Sequence, residues 1–372
     1  MKKFLVGFIM DGKSGGIDKY LLNFLTKVSN EEVRIDFLTN EIDVELQTEL
    51  KKFHSNLYAI ANLKHPVSQY RQVCKIIKEG QYDAVYLNIS TAIDCIAAIA
   101  AKHSGVERRM IHSHSSGNDC ESTLQRNIFD FVNKCCRLFL YKYGTELYGC
   151  SIEAGEWIFP KKIVHSSQFH VIHNAVERKK FEYNIEKRQR IRKELGIKEG
   201  HVFGHVGNFC YQKNHYFLID IFEEIHKQDA NSVLVLAGDG IRFHQVEQII
   251  ARKGLNNSVK LLGRRKDADL LYQAMDAFIF PSNFEGLGIV GIEAQSAGLP
   301  CFMSAQVPKE CKITEKCYFL SLKFSADYWA KEILDKTGKR EAAKFLENAV
   351  NYDLVNQEKE LFQLVEGIDV LK

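Results

Sequence analysis

The sequence predicts an α/β protein built from two doubly wound domains that face each other across a central cleft. Three observations lead there. Apolar runs of strand length alternate with longer amphipathic segments, the alternation comes as two separate series, and 372 residues suit about two domains at roughly 150 residues each. Strand–helix alternation of this kind favours parallel sheets covered on both faces, and such sheets bind ligands beyond the carboxyl ends of their strands.

The first series opens with the apolar run Phe4–Met10, read as a strand, and Ile17–Val28, read as a helix. Ile17, Leu21, Phe24, Leu25 and Val28 recur at helical spacing and so share one face. Further strands are expected at Val33–Leu38, Asn56–Ile60, Ala84–Ile89, Arg109–Ser113, Glu146–Ser151 and Phe169–Ile172. The charged, apolar-poor stretch from Glu177 to Gly196 reads as the link between the halves, passing into a surface helix. The second series places strands at Val202–Val206, Ser232–Ala237, Val259–Leu262, Ala277–Phe280 and Pro300–Met303, followed by a helical tail from Ser325. The segment Asn127–Gly144 mixes aromatics with Lys134, Arg137 and Lys142; a buried helix with charged edges is the preferred reading, and a membrane-facing surface the alternative.

Composition narrows the function classes. With 50 Lys and Arg against 47 Asp and Glu the net charge is only +3, which gives no footprint for nucleic acid. Ten cysteines are scattered without a CxxC pair, as expected for reduced, mostly buried thiols in a cytoplasmic protein. The N-terminal MKKFLVGFIM is interrupted by Asp11 and Lys13, so a buried first strand fits better than a signal peptide. No run approaches the roughly 20 apolar residues of a membrane span, which leaves peripheral contact as the mode of any membrane association.

The densest chemical signal is FIFPSNFEGLGIVGIEAQSAGLPC, Phe278–Cys301. A strand runs into Pro281, Glu285 precedes the turn Gly286-Leu287-Gly288, and a helix runs from about Ile289 to Gly298 with Pro300 beyond it. Glycines before a helix allow close backbone approach, and the unpaired amides and dipole there favour an anion such as a diphosphate. Glu285 and Glu293 can both reach one pocket, where a carboxylate suits paired hydroxyls; the competing reading makes Glu293 a surface helix acid and Glu285 a helix-entry acid.

This segment resembles the E-x7-E signature of glycosyltransferase family 4, whose members have the GT-B fold of two Rossmann-like domains. The similarity runs from GGIDKYLLNF near the start to this motif, and YDAVYLNIS, RRMIHSHSSG and CSIEAGEWIF resemble the bacterial capsular and exopolysaccharide enzymes of that family. The resemblance implies an acceptor-side domain over 1–180 and a nucleotide-sugar-binding domain over 181–372, with the last helix able to pack back on the first domain. It implies that Glu293 binds the nucleotide ribose, that Glu285 contacts a donor-sugar hydroxyl, and that the amides of Gly286, Leu287, Gly288 and Ile289 lie along the diphosphate and sugar. In GHVGNFCYQKNHYFLIDIF, from Gly204, Lys213 matches the family's lysine, but Asn208 stands where an arginine is usual, removing a charge from the diphosphate side. Arg264, in LLGRRKDADLLYQAMDA, would sit beside the nucleobase. Gly15 and Gly16 would bring amides to the diphosphate from the first domain, although they do not form G-x-G-x-x-G. Of His112 and His114, the latter is the one expected to contact donor sugar or position acceptor. Asp239, in AGDG, is as readily a turn residue as a ligand contact.

The activity so implied is retaining transfer of a sugar from a nucleotide diphosphate, with UDP favoured by family habit, to a glycan or polyprenyl-linked saccharide acceptor in surface polysaccharide synthesis. Lys213, Glu285 and His114 are the expected catalytic residues. No metal or other cofactor is expected. The expected location is cytoplasmic, with the inner face of the plasma membrane as a place of peripheral contact. Two alternatives remain at this level: a nucleotide-sugar epimerase of the same fold, and a catalytically weak binding partner that Asn208 keeps open.

Overall fold

A computed structural model describes residues 1–12 and 15–367. The chain folds into two compact units, the first holding residues 1–118, 122–175 and those from Val355 on, the second holding Asp119–Glu121 and Val176–Leu354.

In the first unit the order is β1 (Lys2–Gly7), α1 (Gly15–Val28), β2 (Val33–Thr39), α2 (Val44–Lys51), β3 (Leu57–Ala59), α3 (Pro66–Gly80), β4 (Ala84–Ile89), α4 (Ile96–His103), β5 (Arg108–Ser113), α5 (Thr123–Leu140), β6 (Glu146–Gly149), α6 (Ile152–Ile158), α7 (Lys161–Val164) and β7 (Phe169–Val171). The strands form one parallel sheet in the order β3-β2-β1-β4-β5-β6-β7. Side chains alternate across it as strand geometry requires. Leu5, Val85 and Leu87 pack with Val73, Ile77 and the alanines of α4, whereas Phe4, Val6 and Tyr86 pack with Leu21, Phe24 and Leu50 on the other face. Both faces are therefore covered, and the strands read as continuous apolar runs.

The second unit contains α8 (Arg178–Phe181), α9 (Ile185–Glu194), β8 (Val202–Val206), α10 (His215–Gln228), β9 (Val233–Ala237), α11 (Phe243–Arg252), β10 (Val259–Leu261), α12 (Ala268–Ala274), β11 (Ala277–Phe280), α13 (Ile289–Ser296), β12 (Cys301–Ser304), β13 (Cys317–Leu320) and α14 (Ala326–Lys336). Its sheet runs β10-β9-β8-β11-β12-β13, the same winding as the first six strands of the other sheet. The last helix, α15 (Leu354–Glu366), returns to the first unit, where Leu361, Leu364 and Val365 join the cluster of Phe4, Val6 and Phe24.

The expected doubly wound architecture is present in both halves. β4, β8 and β11 keep their expected limits, while β1 stops at Gly7 rather than Met10. There the chain leaves the sheet because the Asp18 carboxylate takes the amides of Met10, Asp11 and Gly12 at 3.1, 3.0 and 2.8 Å. The stretch read as a link passing into a surface helix holds α9, which buries only Ile191 and is anchored by Arg188 and Arg192 pairing with the buried Asp276 at 2.6 and 2.8 Å. One reading is corrected. The segment read as a buried helix is α5, of which only Asn133 and Leu140 are buried; its apolar stripe faces outward. No described helix is long and apolar enough to cross a membrane.

Candidate active site

In the second sheet, β9 lies on one side of β8 and β11 on the other, so the winding reverses direction between β8 and β11. The loops that leave the carboxyl ends of two such strands diverge and open a crevice, which is where doubly wound sheets take their ligands. Here those loops are 207–214 and 281–288, the two segments singled out by their residues.

Backbone contacts hold the first loop in shape. Gly207 N–H donates to Ala237 O at 2.9 Å, Phe209 N–H to Asp239 O at 2.8 Å, and Gly238 N–H to Gly263 O at 2.8 Å. Gly238 has φ +146°, and a Cβ there would stand 2.0 Å from the Gly207 carbonyl oxygen, so only glycine permits this approach. The stitching sets Asn208 beyond β8 and Arg264 beyond β10, on either side of β9, both exposed.

Lys213 joins the two loops. Its Nζ lies 2.7 Å from Glu285 Oε1 and 5.0 Å from the centre of the Phe280 ring. Gln212 Nε2 donates to the other Glu285 oxygen at 3.1 Å. Around this pair, Asn214 Nδ2 donates to Pro281 O at 3.0 Å, and Asn283 N–H and Nδ2 donate to Gln212 O and Tyr211 O at 2.8 and 2.7 Å. The Lys213 and Glu285 side chains are only 13% and 6% exposed, so the attraction is little screened and each charge depends on the other.

The second loop turns into α13 through Gly288, at φ +88°, where a Cβ would come within 3.0 Å of Val307 and 3.1 Å of Phe280. With no side chain of its own, Gly288 cannot cap the helix. Four residues in, Glu293 is 4% exposed and accepts a hydrogen bond from the Tyr272 hydroxyl at 2.9 Å. Burial, with the Glu293 charge beside it, pushes that phenol well above the usual tyrosine range, so it stays a donor. Glu293 is therefore not the surface helix acid of the competing reading; Glu285, which precedes the helix, is also 4% exposed.

The first unit presents a different chemistry. His112 lies inside it, with Nδ1 2.6 Å from the Tyr86 hydroxyl, which is 2.7 Å from that of Tyr20. The His114 ring packs 4.0 Å from that of His112, and its Nε2 is 2.9 Å from Asn88 Oδ1. His114 Nδ1 is enclosed without a hydrogen-bond partner. Burial lowers His114 to about 3 and His112 well below its ordinary range, so both are neutral at neutral pH. Gly15 and Gly16 open α1, with nothing closer than 4.0 Å to a Cβ at either; Asp18, raised to about 6 by burial, gathers the preceding amides.

Two doubly wound sheets of this winding define the GT-B fold, and in the second of them a charged pair stands at the switch point with a glycine-started helix beside it. Residues 187–346 match the family of glycosyl transferases group 1, and the relatives that the chain resembles over most of its length carry glycosyltransferase names. Among relatives, EpsF of Bacillus subtilis, provisionally named a glycosyltransferase, is 28% identical over 80% of this chain and 77% of its own. The UDP-Gal:alpha-D-GlcNAc-diphosphoundecaprenol alpha-1,3-galactosyltransferase of Escherichia coli is 29% identical over 78% of this chain and 76% of its own. The crystal structure of HepE from Anabaena, in complex with UDP and glucose, superposes with a TM-score of 0.76, covering 99% of this chain and 100% of that one at 19% identity.

Residue patterns missed the supporting shell. Gln212 and Tyr272, which hold the two acids, and Asn88, which holds His114, are distant in sequence from what they orient. Only Asp18 had a local signal, an acid in the first turn of a helix that follows glycines.

Proposed function

We propose that this glycosyltransferase moves a sugar from a UDP-sugar to a lipid-linked saccharide, with retention at the anomeric carbon and without a divalent metal, in bacterial surface polysaccharide synthesis at the cytoplasmic face of the membrane. The observation that carries the donor reading is the enclosed Lys213–Glu285 pair at the β8–β11 crevice, one turn of chain from a glycine-started helix. The UDP in the HepE complex and the diphosphoundecaprenol in the galactosyltransferase's name support the donor and acceptor classes.

In this reading Lys213 and the amides of Gly286, Leu287, Gly288 and Ile289 offset charge on the departing diphosphate, the task a metal performs elsewhere. Glu285 orients Lys213 and meets a sugar hydroxyl, Glu293 reads the ribose, and Arg264 borders the base. Asn208 contributes a neutral contact where a cation is usual. In the first unit, Gly15 and Gly16 approach the diphosphate and His114 acts as a neutral hydrogen-bonding group toward sugar or acceptor. The bond from the anomeric carbon to the phosphate oxygen breaks, the bond to the acceptor oxygen forms on the same face, and the acceptor proton passes to the departing phosphate oxygen.

The test is a thermal-shift panel of nucleotides and nucleotide-sugars. A ligand at about 100 times its dissociation constant adds about 2.7 kcal/mol, so UDP compounds should raise the Tm and other nucleotides should do so less. Glu293→Ala should remove the shift; a panel in which no uridine compound stabilises the protein disposes of the donor reading. Transfer that survives a chelator supports the metal-free step, and transfer restored only by added Mg or Mn ions overturns it.

A further inference from the structure

The amphipathic helix α5 is fastened to the first unit along one face, where the half-buried Cys136 and Phe139 pack against the core. Asn133 accepts from Ala92 N–H at 2.7 Å and donates to Trp157 O at 3.0 Å, and Leu140 completes the core at its end. The opposite face carries Leu124, Ile128, Phe131, Cys135 and Leu138, at steps of four, three, four and three, which align them in one stripe. The four apolar side chains of that stripe are 69%, 56%, 68% and 63% exposed, and Cys135 is exposed between them. Scattered exposed leucines need no explanation, but a continuous apolar stripe along a helix of 18 residues does.

Charge distinguishes among the possible covers. From Thr123 to Lys142 the chain carries Arg126, Lys134, Arg137 and Lys142 against a single acid, Asp130, which is engaged by Asn118. Lys102 adds a further cation at the same end, donating to Lys142 O at 3.0 Å. A second copy packed on this stripe would bring like charges together, whereas an anionic bilayer would meet them with opposite charge while taking up the apolar side chains.

We infer that α5 is a docking surface for an anionic lipid bilayer, lying in the interface plane with Leu124, Ile128, Phe131 and Leu138 among the acyl chains and Lys134, Lys142 and Lys102 at the headgroups. The inference rests on the proposed lipid-linked acceptor only for its purpose; the surface itself stands on exposure, spacing and charge.

Flotation of the full chain with phosphatidylcholine vesicles, with and without phosphatidylglycerol, tests it. The protein should float with the anionic vesicles and lose that association in high salt. Phe131→Ser with Leu138→Ser should lower partitioning by at least roughly tenfold, and Lys134→Glu with Lys142→Glu should do the same, since each removes one of the two attractions. Unchanged Tm and an unchanged UDP-induced shift in the variants show that fold and donor site are intact. If UDP fails to shift even the parent protein while flotation follows this pattern, the donor reading fails and the surface stands. No flotation with anionic vesicles, flotation indifferent to both variant pairs, or a solution dimer that Phe131→Ser dissolves without any vesicle binding each overturns the inference.

Discussion

The two units wind their sheets in the same order, yet they use the switch point differently. In the second unit the β8 and β11 loops meet through opposite charges, Lys213 against Glu285. In the first unit the corresponding β1 loop is gathered by one carboxylate, Asp18, and at the end of β5, beyond β4, two neutral histidines pack against Tyr20. The same topology thus carries a charged pair in one unit, which the proposed function assigns to a diphosphate, and neutral groups in the other, which it assigns to hydroxyls. Winding sets where a ligand goes; the loop residues set which ligand it is.

The sharpest way to break this contrast is Lys213→Ala. It leaves the buried Glu285 carboxylate without its cation, which typically costs about 3–5 kcal/mol, and it removes the proposed diphosphate cation, for a loss of roughly 100-fold or more in kcat. Lys213→Met with Glu285→Leu should regain stability in a denaturant titration without regaining transfer; if the double variant recovers transfer, the pair is structural only. Next in size, Gly238→Ala forces a side chain against the Gly207 carbonyl at a φ that disfavours it. A loss of about 2 kcal/mol or more, with weaker UDP binding by calorimetry, is expected.

On the other side of the comparison, Asn88→Ala deprives His114 Nε2 of its partner and should cost about 1–2 kcal/mol. Because burial holds His114 near 3, the pH–rate profile between 5 and 8 should contain no inflection that moves in His114→Gln; one that does would contradict its neutral role. Burial of His112, His114, His205 and His215 also has a stability consequence shared by both units. Unfolded histidines take up protons below about 6.5 and these folded ones do not, so stability should fall as pH drops from there.

The smallest effect is expected at Glu360, whose carboxyl burial raises from 4.5 to about 7. Its contribution to stability is complete below 4.5 and is lost as pH rises through 7. Glu360→Gln should therefore raise the Tm by a few degrees at pH 8 and hardly at all at pH 5; equal shifts at both would show the carboxyl is not held neutral.

Much of this was legible in the chain because doubly wound sheets write themselves as contiguous apolar runs. Ala84–Ile89, Val202–Val206 and Ala277–Phe280 are buried on both faces and carry no conflicting signal. β13, the four residues CYFL after Lys316, escaped because so short a run has no period of its own and gains its identity from pairing with β12. The segment around Glu285 and Glu293 was legible since its glycines, proline and acids act within one turn. The partners Gln212, Tyr272 and Asn88 were not, as each meets its target only through the sheet. The outward face of α5 shows a further limit: helical periodicity reveals that a stripe exists, not whether protein covers it.

The return of α15 bears on how the polypeptide is born. Leu361, Leu364 and Val365 fill the first unit's interior, Arg108 donates to the Val365 carbonyl at 3.2 Å, and Gln357 donates to that of His173 at 2.7 Å. A nascent chain emerging from the ribosome amino end first must hold that interior unfinished until synthesis of everything after it is done. The half that starts first is thus the half that closes last, and a ribosome stalled anywhere before Leu354 leaves an apolar seam exposed for chaperones or proteases to find.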